Sequence, residues 1–482
     1  MAYHPSPELE KLMDQLLGEE KERFFDSIGE QLPHTIRFNP LKGDVKNLKV
    51  FLEEQGFTFE LFPGFDDIYR MIYQPYPIGK SLSHFLGHFY VQDIASMLPP
   101  RVLQPQPGDI VLDMSAAPGS KTTQMAVMMN NRGMILANDV VQKRLRALTN
   151  NLQRMGILNT AVVKNYGEGF GNQYFEVFDK ILLDPACSGL GTLHKNPEVL
   201  SWWTPNQCAR LASGQRQLLG SAIKALKPGG EMVYSTCTLT PEENEEVLDH
   251  ALNTYPIELE NIDLPSLNTR PGLTGFEGRK YHSQIERALR LYPFENQTEG
   301  FFVAKIRKNG RVDQPLNKRE RKPISLNYIS DTTSPVKKYL DYFSVHFGID
   351  RKTFGRFRYY IDKSITAVSR ELAEFSFKSR PIKTGLTIGR PMTQVGKLTT
   401  EGTQIFGSFA GQNIYEIQDL DLLEQFVNRD SLNLPAEFNT QVIVTHRDLP
   451  IGYGLVDNGQ LKSQFPKAEW PFVLKVKNSH GN

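Results

Sequence analysis

The stretch VLDMSAAPGSKTTQMA, residues 111–126, decides the fold. A hydrophobic run ends in an acid at Asp113, a turn of small residues follows, and a helical pattern begins near Ser120. Strand, tight turn and helix in that order form the repeating unit of a doubly wound sheet, and such sheets bind ligands at the carboxyl edge of their strands. Ser115, Ala116, Ala117, Pro118, Gly119 and Ser120 are compact residues that let the backbone approach a ligand closely, with Lys121 just beyond them. The stretch is neither G-x-G-x-x-G nor a Walker loop, which argues against a dinucleotide or a nucleoside triphosphate.

Outward from this turn the pattern repeats. DIVLDM, GMILAND, TAVVKN, DKILLD and EMVYST are strand-like runs, separated by the helical segments KTTQMAVMMNN, VQKRLRALTNNLQRMG and NQCARLASGQRQLLGSAIKALKPGG. Such alternation predicts an α/β fold with a doubly wound, Rossmann-like parallel sheet covered on both faces, and GFFVAKIRK (300–308) supplies a late strand. Upstream, residues 8–30 read as one helix, and short apolar runs to about 75 make a small α+β unit. The expected organisation is an N-terminal α+β domain at 1–105, a catalytic domain at 106–310, a basic linker at 311–335, a basic C-terminal domain at 336–392 and a last domain at 393–482.

A length of 482 residues excludes a single small module, and 40% hydrophobic with 23% charged residues is ordinary for a protein with real cores. Net charge is only +1, but residues 301–400 carry 21 Lys+Arg against 8 Asp+Glu, which suggests a polyanion partner docking there. Phe354, Phe357, Tyr359 and Tyr360 lie among those cations and read either as base-stacking residues or as a small core. Three cysteines cannot build a disulfide framework, the charged N-terminus lacks the apolar core of a signal peptide, and no apolar run reaches membrane-spanning length. A cytoplasmic protein that needs no membrane and no metal, and acts as a monomer, is expected.

Asp139 ends the second strand, where a carboxylate can accept hydrogen bonds from both ribose hydroxyls of an adenosine. Cys187, in ILLDPACSGLGT, and Cys237, in MVYSTCTLTPEEN, end two further strands, so neighbouring strands would bring both thiols and Asp184 to one rim. Cys208, inside a helical pattern, reads as a small buried hydrophobe. Two thiols suit one particular reaction. Cytosine C5 is a poor nucleophile until a thiolate adds at C6; it can then attack a sulfonium methyl, and a second thiolate can take the C5 proton so that the enzyme leaves. An acid at Asp184 can hydrogen-bond cytosine N3 and favour the adduct.

The quartet DMSAAPGSKT, ANDV, LLDPACSGLGT and YSTCTLTPEENE resembles the RNA cytosine-C5 methyltransferases, the RsmB/Nop2/Sun family. The resemblance extends from TIRFNPLK and FYVQDIASM to RLYPFENQTEGFFVAKIRK, about residues 33–308, and the layout with GYGLVDNGQLKSQFPKA near the end is similar to the small-subunit (16S) ribosomal RNA members, whose last domain is PUA-like and RNA-binding. It implies that Cys237 is the nucleophile, that Cys187 serves release, that residues 115–121 and Asp139 hold S-adenosyl-L-methionine, and that Asp184 stands between donor and base. It also implies RNA as the partner, 16S rRNA or the small ribosomal subunit, with transfer RNA as the nearer alternative and an inactive RNA-binding assembly factor as the remoter one. Three positions depart from the family pattern: Ser115 stands where Cys is usual, Ala186 where Pro is usual, and Asn165-Tyr166 where an acid usually meets the adenine. Asn165 can accept from the adenine amino group and Tyr166 can stack on the ring; the sequence leaves both open.

Overall fold

The Asp-terminated runs become the centre of a ten-stranded sheet in the computed structural model, which describes residues 5–313, 322–393, 395–435, 437–438 and 440–474. Five strands, in the spatial order Thr160–Val163, Met134–Asn138, Ile110–Asp113, Phe178–Leu183 and Leu226–Thr236, run parallel. All their carboxyl ends therefore lie on one edge. Phe301–Lys308 joins beside Leu226–Thr236 but antiparallel, so the sheet is mixed rather than wholly parallel. A periodic apolar pattern gives a strand's burial and not its direction, which is why this reversal was invisible in GFFVAKIRK.

The helix expected over 8–30 is two helices, Pro7–Leu17 and Lys21–Ser27, because Gly18 ends the first with φ +54°. They pack over Leu190, Leu193 and Trp203, downstream of Cys187. The small N-terminal sheet orders its strands Thr58–Leu61, Ile68–Tyr73, Thr35–Phe38, Phe89–Val91, all antiparallel. Its helix Val45–Glu54 turns Leu48, Phe51 and Leu52 into one core with Leu423, Phe426, Val444 and Phe465 from the far end of the chain.

A four-stranded sheet, Arg358–Ile361, Ile365–Val368, Leu386–Pro391 and Gly396–Leu398, runs through residue 392, where a boundary was expected, because its last strand pairs back across it. Lys383–Thr384 adds to the edge of the central sheet beside Thr160–Val163. Phe354 and Tyr359 are fully buried and form a core, whereas Tyr360 is 43% exposed. The last residues form a five-stranded sheet spanning Ile414 to Ser463. Of the basic linker, Lys318, Arg319, Glu320 and Arg321 lie outside the described residues. No helix among the described residues is long and apolar enough to cross a membrane.

One buried ion pair stiffens the loop after Cys237. Arg290 (1% exposed) donates two 2.6 Å bonds to Glu245 (0%) and a third to the Leu239 carbonyl. Removing one partner of such a pair strands a buried charge and costs about 3–5 kcal/mol. Glu245→Ala should therefore lower the denaturation midpoint far more than the double change with Arg290→Met; equal losses would show that the pair contributes nothing as a pair.

Candidate functional site

The carboxyl edge gathers the expected residues around the 114–119 turn. Asp113 is buried, and burial pushes its carboxyl up to about 7 even though the Thr122 hydroxyl donates to it at 2.7 Å. The Ala116 amide donates to Asn138 at 2.7 Å, tying the turn to the next strand. Gly119 holds φ +108°, where a side chain is strained, and a Cβ there would lie 3.0 Å from Leu148, so this position favours glycine. Arg37 of the N-terminal sheet donates to the Ser120 carbonyl at 2.9 Å and to Thr123 at 2.8 Å, anchoring the start of helix Ser120–Met128 from outside the sheet.

Asp139 is 3% exposed and sits just past Met134–Asn138. Its Oδ1 accepts from the Val141 amide at 2.9 Å, whereas its buried Oδ2 accepts no hydrogen bond, with Arg144 lying 3.3 Å away. An unsatisfied buried acceptor beside a small-residue turn fits the diol of an adenosyl group, which supplies the missing donors. Asn165 is clasped to Asn138 and its amide donates to Ser379 at 2.8 Å, which leaves its Oδ1 as an acceptor without a partner among the described residues. Tyr166 is 80% exposed. Of the two open choices, the geometry offers Asn165 for a polar contact and leaves the tyrosine ring in solvent.

Asp139→Asn keeps the acceptor for the Val141 amide and removes the charge, so we expect S-adenosylmethionine affinity to fall about tenfold or more, since a hydrogen bond to a charged group is worth ~1.5–3 kcal/mol. Calorimetric titration checks this; an unchanged Kd would reduce Asp139 to a turn residue that holds the Val141 amide.

The two thiols meet as expected: Cys187 Sγ and Cys237 Sγ are 3.1 Å apart, both part-buried and both free. The hydrogen bond to Cys237, burial and the charges of Cys237, Glu243 and Asp184 push the Cys187 thiol well above its ordinary range. Cys208, by contrast, is wholly buried in helix Pro205–Ala225, and burial pushes its thiol up to about 12. Asp184 Oδ2 accepts from Lys121 at 2.7 Å and Oδ1 accepts from Ser235 at 2.9 Å. Lys121 also donates to Ser96 at 3.2 Å; burial works against its charge, but Asp184 and then Cys237 hold its amine above the usual lysine range. Cys187 thus lies in a field of acids, and Cys237 in that of an ammonium.

Several supports were not singled out in the sequence. Glu243, fully buried, accepts from the Ser188 amide at 3.0 Å, Gln215 at 2.8 Å and Thr240 at 2.9 Å, while Gln215 also donates to the Ala186 carbonyl at 3.0 Å. It joins the two cysteine loops and holds Ala186 where the family pattern has Pro. Gly191 donates to the Cys237 carbonyl and accepts from Gly300, both at 2.9 Å; a Cβ on it would strike the Gly300 oxygen at 1.9 Å. Lys195 pairs with Glu299 at 2.6 Å, and burial and Asp93 raise that glutamate's pKa. Glu243 stood inside the quoted YSTCTLTPEENE and Asp93 inside FYVQDIASM, but neither ends a strand, so strand-end reasoning passed over both.

Comparison with known proteins gives a consistent picture. A family profile described as "16S rRNA methyltransferase RsmB/F" matches residues 100–307, and one described as "N-terminal domain of 16S rRNA methyltransferase RsmF" matches residues 6–94. A protein of Shewanella piezotolerans named ribosomal RNA small subunit methyltransferase F is 31% identical over 452 residues, 92% of this chain and 93% of its own length. A Pyrococcus abyssi protein named tRNA (cytosine(49)-C(5))-methyltransferase is 41% identical over 292 residues, 60% of this chain and 93% of its own. Among solved structures, NSun6 from Pyrococcus horikoshii with SFG, an S-adenosylmethionine analogue, superposes with a TM-score of 0.56 at 25% identity, covering 63% of this chain and 98% of that one.

Proposed function

The chain belongs to the RsmB/F family, as an S-adenosylmethionine-dependent RNA cytosine methyltransferase, and from that premise we propose that it methylates cytosine C5 in small-subunit (16S) ribosomal RNA through a covalent bond between Cys237 and C6. The observation that carries this reading is the 3.1 Å approach of Cys187 and Cys237 beside the Lys121–Asp184 pair. Full-length similarity favours the ribosomal substrate: the small-subunit relative aligns over 92% of the chain, including its C-terminal units, whereas the transfer RNA relative aligns over 60%. The five-stranded terminal sheet and the basic segment before it are read as RNA-binding, the former as a PUA-like unit.

When bound, S-adenosylmethionine supplies an electrophilic methyl group. Residues 115–120 would give it room, Asp139 Oδ2 would accept from its ribose, and Asn165 Oδ1 would accept from its adenine edge. Cys237 Sγ, as thiolate beside the Lys121 ammonium, adds its electron pair to cytosine C6, and the C5–C6 π electrons become nucleophilic at C5. The Lys121–Asp184 pair, with the Lys121 ammonium as its proton source, provides the donor that cytosine N3 needs. This shifts the donor role expected of Asp184 alone onto the pair, since both Asp184 oxygens already accept hydrogen bonds. Once Cys237 is bonded to carbon, its negative charge no longer raises the Cys187 pKa, so Cys187 loses its proton to solvent more readily. The Cys187 thiolate then takes the C5 proton, C5=C6 re-forms, and Cys237 leaves as thiolate.

The test is to incubate the protein with methyl-labelled S-adenosylmethionine, small-subunit particles, 16S rRNA and transfer RNA, and to map 5-methylcytosine. Label at a 16S cytosine supports the reading, and label confined to transfer RNA transfers the function to that substrate.

A further inference from the structure

At the amino edge of the central sheet, opposite the thiols, lies a cavity of about 730 Å³. It is lined by residues 130–132, just before Met134–Asn138, and by Leu158, just before Thr160–Val163, so it opens at the ends of parallel strands remote from Asp113 and Asp139. Five strand residues at about 3.3 Å each separate the two edges. The cofactor edge cannot extend this far. Three parts of the chain converge here: the turn at residues 40–43, the basic segment at 356–357 and 369–371, and residues 404–409.

Four cations, Lys42, Arg132, Arg356 and Arg370, line the cavity against a single acid, Glu371. Arg132 and Arg356 are exposed and form no ion pair among the described residues. Lys42 is 3% exposed, donates only to the neutral Gln404 at 2.6 Å, and has no carboxylate within ion-pair distance among the described residues. Burial pushes its amine down to about 7, with Glu401 opposing and Arg154 adding to the shift. A buried amine with no carboxylate partner among the described residues, beside two exposed guanidinium groups that form no ion pair there, gives the cavity wall a surplus of cationic donors suited to phosphate oxygens. Phe409, 47% exposed, and Phe357 add aromatic faces to the same wall.

We propose that this cavity holds one nucleotide unit of single-stranded RNA, its phosphate on the Arg132–Arg356 side and its base against Phe409. Forked guanidinium groups match phosphate oxygens, and an aromatic ring accepts any base by stacking. The proposal rests on the RNA-methylating reading above, and it gives the substrate a second hold on the far side of the sheet from the reacting cytosine.

The experiment uses the full chain and a nonamer of uridine, which offers no cytosine to the thiols, alongside UMP, inorganic phosphate and hexaglutamate. Wild type should bind the nonamer, and the Arg132→Ala, Arg356→Ala pair should weaken it at least tenfold. Phe409→Ala should weaken the nonamer while leaving phosphate binding unchanged, and Cys237→Ser should leave nonamer binding unchanged. Nonamer affinity indifferent to both cavity variants overturns the proposal. So does UMP binding as tightly as the nonamer, which assigns a free mononucleotide, or hexaglutamate doing so, which assigns an acidic peptide. Methyl transfer to rRNA by wild type, measured in parallel, tests the underlying reading separately: transfer with an indifferent cavity sinks only this proposal.

Discussion

Cys237→Ser will reduce methyl transfer to RNA to background while leaving S-adenosylmethionine affinity within about twofold of wild type. A serine hydroxyl keeps the shape and the loop but ionises far less readily than a thiol, so addition to C6 fails at the first step. The proposed cofactor contacts lie elsewhere, at the 115–120 turn and Asp139, which is why binding should survive. Single-turnover transfer and calorimetry on the same preparation check both halves. Residual transfer at a tenth of wild type or more would remove Cys237 as nucleophile, and a collapse of cofactor binding would make it a structural residue of the rim.

Cys187→Ala should separate the two halves of the cycle. The first methyl transfer needs only Cys237, the Lys121–Asp184 pair and the donor, so a single turnover should proceed. Removal of the C5 proton needs a base, and losing one typically costs ~10²–10⁴-fold. Multiple turnover should fall by that factor while the enzyme remains joined to its product. Removing Cys187 also takes away the hydrogen bond between the two thiols, so Cys237 should become more available to added alkylating agents. Unchanged multiple turnover in this variant would assign the proton to another base.

Much of the candidate site was legible because its residues occupy positions that local rules mark. Asp113, Asp139, Asp184, Cys187 and Cys237 each sit at or just beyond the end of an apolar run, and parallel pairing of those runs obliges their ends to share an edge. The meeting of the two thiols follows from adjacency of Phe178–Leu183 and Leu226–Thr236. What stayed hidden depends on contacts between distant segments. Nothing local to TIRFN says that Arg37 reaches Ser120, 83 residues on, or that Ser379 orients Asn165 from 214 residues away. The shared core of Phe51 with Phe426 and Phe465 is of the same kind. The pattern of aromatics among cations at 354–360 was ambiguous for another reason: alternation puts Tyr359 inward and Tyr360 outward, so one motif holds a core residue and a surface residue side by side.

Glu243 shows a further limit. A buried carboxylate accepting from a backbone amide, an amide side chain and a hydroxyl is satisfied and structural in its own surroundings, yet here it ties together the two loops that carry Cys187 and Cys237. Composition and periodicity carry no signal for that role, because it exists only once Ser188 and Thr240 have been brought together.

The most direct measurement of the central claim is a denaturing gel of Cys187→Ala incubated with small-subunit RNA and S-adenosylmethionine. A retarded, nuclease-sensitive protein band is expected, and it should be absent when Cys237→Ala is added to the same chain. No retarded band in the single variant, with methylated RNA accumulating over many turnovers, would contradict the covalent route through Cys237.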